Sequence, residues 1–195
     1  MRMLLLAPPG GGKSTQGRVL ASDYGVPHIS TGDLLRDEVA RGTKLGLRAR
    51  PYLERGDLIP DHLVLQLVQE RITRPVRLEG FVLDGFPRTL DQALAAYAWG
   101  TEHGLTFTAV VHLNVPEPEL VRRLLERGRR SSRADDTEDT IRHRLAKYRE
   151  TTDPLLAFYR DREILVDVDG TGEIPEVTNA IRAALAARGL APSAR

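Results

Sequence analysis

The chain has 195 residues, 41% of them hydrophobic and 28% charged, with a formal net charge of +1. That length suits one α/β domain or one domain carrying small inserts, the apolar share argues against disorder, and the charge balance offers no bulk attraction to nucleic acid or an anionic membrane. Cysteine is absent, which excludes disulfides, thiolate-bound zinc and a thiol nucleophile. The N-terminal apolar stretch is too short for a leader segment, so a cytoplasmic location is expected.

In chain order, the first apolar run is 3–7, and it predicts a buried parallel strand. A helical segment follows at 17–24, then a second strand at 26–29. From Ser30 to Asp61 the pattern is helical with no strand, with Leu34, Leu35 and Val39 on one face; this reads as a helical insert. Leu63, Leu67, Val68 and Ile72 mark the next helix, and 81–83 the third strand. A fourth strand at 109–113 precedes a helix carrying Leu120, Leu124 and Leu125. Residues 127–136 read as a polar loop joining that helix to one marked by Ile141, Leu145 and Tyr148. Pro154 is expected to bend or break this second helix near Asp153. The fifth strand is 164–168, and Val177, Ile181 and Leu185 mark a last helix. Alternating strands and helices imply an α/β sheet covered on both faces, with ligands beyond the carboxyl ends of the strands.

Chemistry begins after the first strand, at Ala7-Pro8-Pro9-Gly10-Gly11-Gly12-Lys13-Ser14-Thr15. Gly12, Lys13 and Ser14 fit the phosphate-loop pattern G-x-x-x-x-G-K-[ST], whereas Ala7 replaces its first glycine. Gly10, Gly11 and Gly12 can turn successive N–H groups inward as an anion nest, and the next helix adds its positive end. Lys13 then reaches the β- and γ-phosphates, Ser14 Oγ touches Mg²⁺, and the Thr15 hydroxyl helps hold a phosphate. Ala7 demands an ordinary negative φ at the loop entrance. A phosphate loop alone fits GTPases, ATPases and several kinases; no Asn-Lys-x-Asp guanine motif is present.

Three further stretches narrow the choice: Ile29-Ser30-Thr31-Gly32-Asp33-Leu34-Leu35-Arg36, Gly56-Asp57-Leu58-Ile59-Pro60-Asp61, and Asp84-Gly85-Phe86-Pro87-Arg88-Thr89 with Gln92 following. With Arg133-Ala134-Asp135-Asp136 and Arg144-Leu145-Ala146-Lys147-Tyr148, they make the chain resemble the adenylate kinase family from Leu4 to about Val177. The resemblance implies a P-loop, doubly wound five-stranded parallel sheet with helices on both faces. It also implies a core of residues 1–29, 61–122 and 137–195, a nucleoside-monophosphate insert at 30–60, and a short lid at 123–136. The implied reaction is ATP + AMP ⇌ 2 ADP with Mg²⁺.

Site residues follow by the same resemblance. Arg36 and Arg88 grip the AMP phosphate; Gln92 reads the adenine edge; Thr31 contacts adenine; Leu58, Ile59 and Gly85 line the acceptor pocket. Asp84 holds Mg²⁺ through water beside Ser14, with Asp33 a weaker candidate. Arg123 stacks on the ATP adenine, Arg127, Arg133 and Arg144 close on the phosphates, and Gly172 belongs to the turn that meets the ATP base. Lys13, Arg88, Arg127, Arg133 and Arg144 form the catalytic set. Between Arg122 and Arg133 there are six arginines and one glutamate; Arg122, Arg129 and Arg130 match no motif and read as solvated. The lid holds no Cys or His, so no zinc is expected. The implied partners are ATP, AMP and ADP, with no nucleic acid, no membrane and a monomeric state. A UMP/CMP kinase with the same short lid and a non-catalytic nucleotide sensor are the alternatives. Thr31 and the Thr89…Gln92 pair favour AMP over the first, and the full arginine set counts against the second. His28 and His112 read as packed, Trp99 as core or helix surface.

Overall fold

The structure is a computed structural model that describes residues 1–73, 78–130 and 137–192. Its elements run β1 (Arg2–Leu6), α1 (Lys13–Asp23), β2 (His28–Ser30), α2 (Thr31–Ala40), α3 (Lys44–Arg55), α4 (Asp61–Thr73) and β3 (Phe81–Asp84). They continue with α5 (Leu90–His103), β4 (Ala109–Asn114), α6 (Glu117–Arg130), α7 (Glu138–Arg160), β5 (Leu165–Asp169) and α8 (Ile174–Ala186). The five strands form one parallel sheet in the order β2-β3-β1-β4-β5. The chain moves outward from β1 in both directions, so β1 and β3 carry the loops at the point where the winding reverses, where such sheets bind ligands.

Side chains alternate across β1, and the core divides accordingly. Leu4 and Leu6 face one side with Phe81, Leu83 and Tyr159. Met3 and Leu5 face the other with Val82, Val111, Ile181 and Leu185. A third cluster, Val115, Leu120, Leu124, Ile141 and Leu145, joins α6 to α7.

Three local expectations shift. β2 starts at His28 rather than at residue 26, because the Val26 N–H donates to Ala21 O and so closes the end of α1 instead of joining the sheet. Helix α6 runs unbroken through Gly128 to Arg130, so the loop expected from Arg127 is helical as far as the described residues go. Arg122 bridges Glu119 and Glu126 at i,i+3 and i,i+4 spacing, which favours the helix here. Residues 131–136, with Arg133, lie outside the described residues. Helix α7 continues past Pro154. The missing proline N–H forfeits one helical bond, but Thr152, Leu155, Phe158 and Tyr159 on the same turns are buried, and that burial outweighs the loss.

Candidate active site

The phosphate loop connects β1 to α1. Gly10 and Gly12 have φ of 83° and 87°, left-handed values that favour glycine. A side chain at Gly10 would also meet Leu124 Cγ at 2.9 Å, since α6 packs against the loop. Ala7 is buried and is not among the residues with positive φ, as its methyl group requires. Helix α1 begins with no side-chain cap and no acidic residue in its first turn, so its positive end is left for an anion. It opens onto a cleft of about 390 Å³ lined by Gly10, Gly11, Gly12, Lys13, Ser14 and Thr15 on one side and Arg122, Arg123, Arg127 and Gly172 on the other.

Arg123 is fixed in that cleft. Its Nε donates to Glu119 Oε1 at 2.6 Å, and its terminal nitrogens donate to Gly170 O and Thr171 O, each at 3.1 Å. Glu119 also accepts from Arg122. Hydrogen bonds from Arg122 and then Arg123 hold the Glu119 carboxyl down at about 2. Arg122, expected to be solvated, is exposed but reaches the cleft rim.

Lys13 is buried. Its Nζ donates to Ala7 O at 3.3 Å and Pro8 O at 3.4 Å. Burial lowers its pKa to about 7; Asp84 raises it, while Arg88, Arg144 and Arg127 lower it further. Lys13 also lines a second cavity of about 70 Å³, with Leu58, Gly85, Arg88, Arg144 and Lys147. Leu58, Gly85 and Arg88 in turn line a third pocket of about 20 Å³, with Thr31, Ile59 and Gln92. The cavities thus form a chain, joined first through Lys13 and then through Arg88.

The acceptor side chains are already paired within the protein. Arg36 Nη2 donates to Asp33 Oδ1 at 2.5 Å, and neither residue lines a described cavity. Thr31 Oγ1 donates to Asp84 O at 3.1 Å. Gly85, with φ 84°, must be glycine: a Cβ there would sit 2.4 Å from Thr31 Oγ1. Arg88 Nε donates to Gly85 O at 2.7 Å. The Gln92 amide is held at both ends, by the Arg88 N–H and by Asp61 Oδ1, each at 2.7 Å.

Asp84 ends β3 and is buried. Its Oδ2 lies 2.7 Å from His28 Nε2, and its Oδ1 accepts from Ser30 Oγ at 3.2 Å. His28 therefore packs, as expected, but against the candidate metal carboxylate. His112 pairs with Asp167, and Trp99 stacks on His103. A carboxylate has about four acceptor positions, so Asp84 keeps two after these bonds. The Asp84 carboxylate and the Ser14 hydroxyl would together offer an oxygen-only donor set. It suits Mg²⁺, which keeps several waters and takes few protein ligands beside phosphate oxygens. Among the described residues no group of three or more His, Cys, Asp or Glu could hold a metal ion.

The sequence reading missed His28, Asp61 and Glu119 as partners of site residues. Glu119 was open to it, four residues before Arg123. His28 and Asp61 were not, since their partners lie 56 and 31 residues away.

The family model for adenylate kinase matches residues 5–164. The chain belongs to the adenylate kinase family. It is 50% identical to an adenylate kinase of Thermus thermophilus, over 94% of this chain and 96% of that one. It is 49% identical to one of Mycobacteroides abscessus, over 91% and 94% respectively. An adenylate kinase of Thermobifida fusca matches at 46% over 96% of this chain and its own full length. The five-stranded parallel P-loop architecture accords with that membership.

Proposed function

We infer that this chain catalyses reversible phosphoryl transfer between ATP and AMP, giving two ADP. The observation that carries the reading is the position of Lys13, which lines both the phosphate-loop cleft and the cavity holding Arg88 and Arg144. A donor phosphate on the loop and an acceptor phosphate at Arg88 would meet across this one cation.

The acceptor is a phosphate oxygen. A phosphomonoester has a second pKa of about 6, so it is mostly ionised at pH 7 and needs no protein base. The work left to the enzyme is to hold two anions in line and to neutralise charge spreading over the transferred group. Gly10–Gly12, Ser14 and Thr15 hold the ATP phosphates; Arg123 and Gly172 flank its base; Arg36 and Arg88 hold the AMP phosphate. Thr31, Leu58, Ile59, Gly85 and Gln92 form the AMP base pocket. Arg127, Arg133 and Arg144 join Lys13 at the transferred group. The family works on ATP with Mg²⁺, which Ser14 and Asp84 would hold largely through water, and the ion supplies charge neutralisation at the β- and γ-oxygens. Asp33, paired to Arg36, stands further from that role. In this reading residues 30–60 and 123–136 flank a core and close over it, which excludes water as a competing acceptor.

The same reading gives a cytoplasmic monomer. The absence of cysteine is consistent with a reducing compartment, and among the described residues no helix is long and apolar enough to cross a membrane. Measured phosphorylation of AMP, CMP, UMP and GMP with MgATP tests the assignment. AMP is expected far ahead of the rest, and a CMP kcat/KM comparable to that of AMP would overturn it.

A further inference from the structure

Gln92 lies in the first turn of α5 and is buried, with its amide facing two partners of fixed character. Its Oε1 accepts from the Arg88 backbone N–H, which can only donate. Its Nε2 donates to the Asp61 carboxylate, which can only accept. The reversed amide would set its NH₂ against an N–H and its oxygen against a carboxylate. Each such clash would leave a polar group of the buried Gln92 amide unpaired, which disfavours the reversed orientation. Asp61 opens α4 and is exposed, and it lines none of the cavities described above. It acts from behind Gln92.

An amide offers two acceptor positions and two N–H groups. The two internal partners take one of each, leaving one acceptor and one donor on a residue that lines the base pocket. Their order is fixed by the orientation of the amide. A 6-aminopurine presents an amino donor beside the N1 acceptor, which is the complement of an amide oxygen beside an N–H. A 6-oxopurine presents the reverse, an O6 acceptor beside the N1–H donor, and would require the amide to turn over.

We propose that Asp61 is a positioning residue for base selection: by locking the Gln92 amide, it makes the acceptor site read 6-aminopurine and reject 6-oxopurine monophosphates. This rests on the reading that Gln92 faces the acceptor base. A site built for one hydrogen-bonding edge can reject the wrong edge strongly, because the mismatch leaves its own groups unpaired.

Inosine monophosphate is the right probe, since it differs from AMP at this edge alone and carries no 2-amino group to add a steric effect. In Asp61→Asn the replacement side chain can donate or accept, so the lock is released while the shape is kept. The ratio of kcat/KM for AMP to that for inosine monophosphate is expected to fall at least about fivefold. The change should come through KM, with kcat for AMP and the affinity for MgATP unchanged. Asp61→Ala, which removes the acceptor altogether, should lower the same ratio, and a melting curve of each variant reports whether it folds. Gln92→Ala serves as the control for the underlying reading. If Gln92→Ala leaves the ratio untouched, Gln92 does not read the base. If Gln92→Ala lowers the ratio but both folded Asp61 variants keep the wild-type value, or lose both substrates equally, the lock is wrong and the base assignment stands.

Discussion

The two halves of the catalytic groove are built from different materials. The phosphate-loop cleft is about 390 Å³ and is made largely of backbone: two glycines at positive φ and the uncapped start of α1. The acceptor pocket is about 20 Å³ and its polar side chains already have partners within the protein, Thr31 on the Asp84 carbonyl and Gln92 on Asp61 behind it, while Arg36, outside the pocket, pairs with Asp33. A backbone loop costs little reorganisation on binding, because the fold already sets its path, with the Gly11 N–H donating to Pro8 O at 2.9 Å to brace it from within. A side-chain pocket must exchange partners. The Arg36–Asp33 pair is exposed and weak enough to be traded for a phosphate, whereas Gln92 is itself buried and its part-buried bonds can persist with the base in place. In the proposed assignment the donor half is therefore largely preformed before ATP arrives, and the acceptor half holds its specificity in internal bonds.

The sharpest way to break this contrast is to remove the cation both halves share. Lys13→Met should cost on the order of 10²–10⁴ in kcat/KM for either nucleotide, in line with the loss of other groups that stabilise transferring phosphoryl charge. Arg88→Ala should cost a similar amount while leaving ATP affinity in place, because Arg88 lines only the acceptor-side cavities. Steady-state rates with folding checked by circular dichroism would decide it. A loss under about fivefold for either variant would remove that residue from the catalytic set.

The same division explains what could be read from the sequence. Backbone features are written locally: Gly10-Gly11-Gly12-Lys13-Ser14 between an apolar run and a helix marked the loop and its positive-φ glycines, and all five strands were visible as apolar runs. Glu119 and Arg123 lie on one helix, so their pairing is a matter of spacing. The acceptor half is different. Asp61 stood out only as the last residue of the Gly56–Asp61 stretch, and His28 only as a packed residue, because neither spacing nor composition marks a partner across the fold. Arg127 and Gly128 looked like the start of a loop because glycine and charge usually mean one. The structure continues the helix because Leu120 and Leu124 anchor it to α7 and its arginines find glutamates one turn away. Pro154 misled in the same way, since a local rule yielded to the burial of the flanking turns.

A second test concerns the electrostatic state of the shared cation. Burial, with Arg88, Arg144 and Arg127 nearby, holds the Lys13 pKa at about 7, against 10.5 for a free lysine. A lysine depressed in this way disfavours the charged folded state below pH 7, and the fold gains stability as pH rises from 7 towards 10.5. Bound phosphates reverse the balance, since an anion at Nζ favours the ammonium form. MgATP binding should therefore take up close to one proton at pH 8.5 and almost none at pH 6, where Lys13 is already charged. The nucleotide phosphates are fully ionised at pH 8.5 and mask nothing. Binding heats measured in two buffers of different ionisation enthalpy read the uptake directly, and Lys13→Met should abolish it. No uptake at pH 8.5 in the wild-type protein would mean that the lysine is charged before ATP arrives.

The smallest expected effect is at Ala7, and it tests how local the backbone nest is. The phosphate-loop pattern has glycine there, yet Ala7 avoids positive φ, while Gly10 and Gly12 carry the left-handed turns. The first position thus contributes no nest geometry of its own. Its methyl group is buried, and a Cβ on Gly11 would lie 2.8 Å from it, so the side chain fills space under the loop. Ala7→Gly should leave kcat/KM within about twofold. It should lower stability by about 0.4–1 kcal/mol, because glycine widens the unfolded ensemble. For a chain of this size that is a fall in Tm of about 1–4 °C. A tenfold change in ATP affinity with unchanged Tm would show instead that the methyl group sets the loop's path to the phosphates, and that the nest extends back to the end of β1.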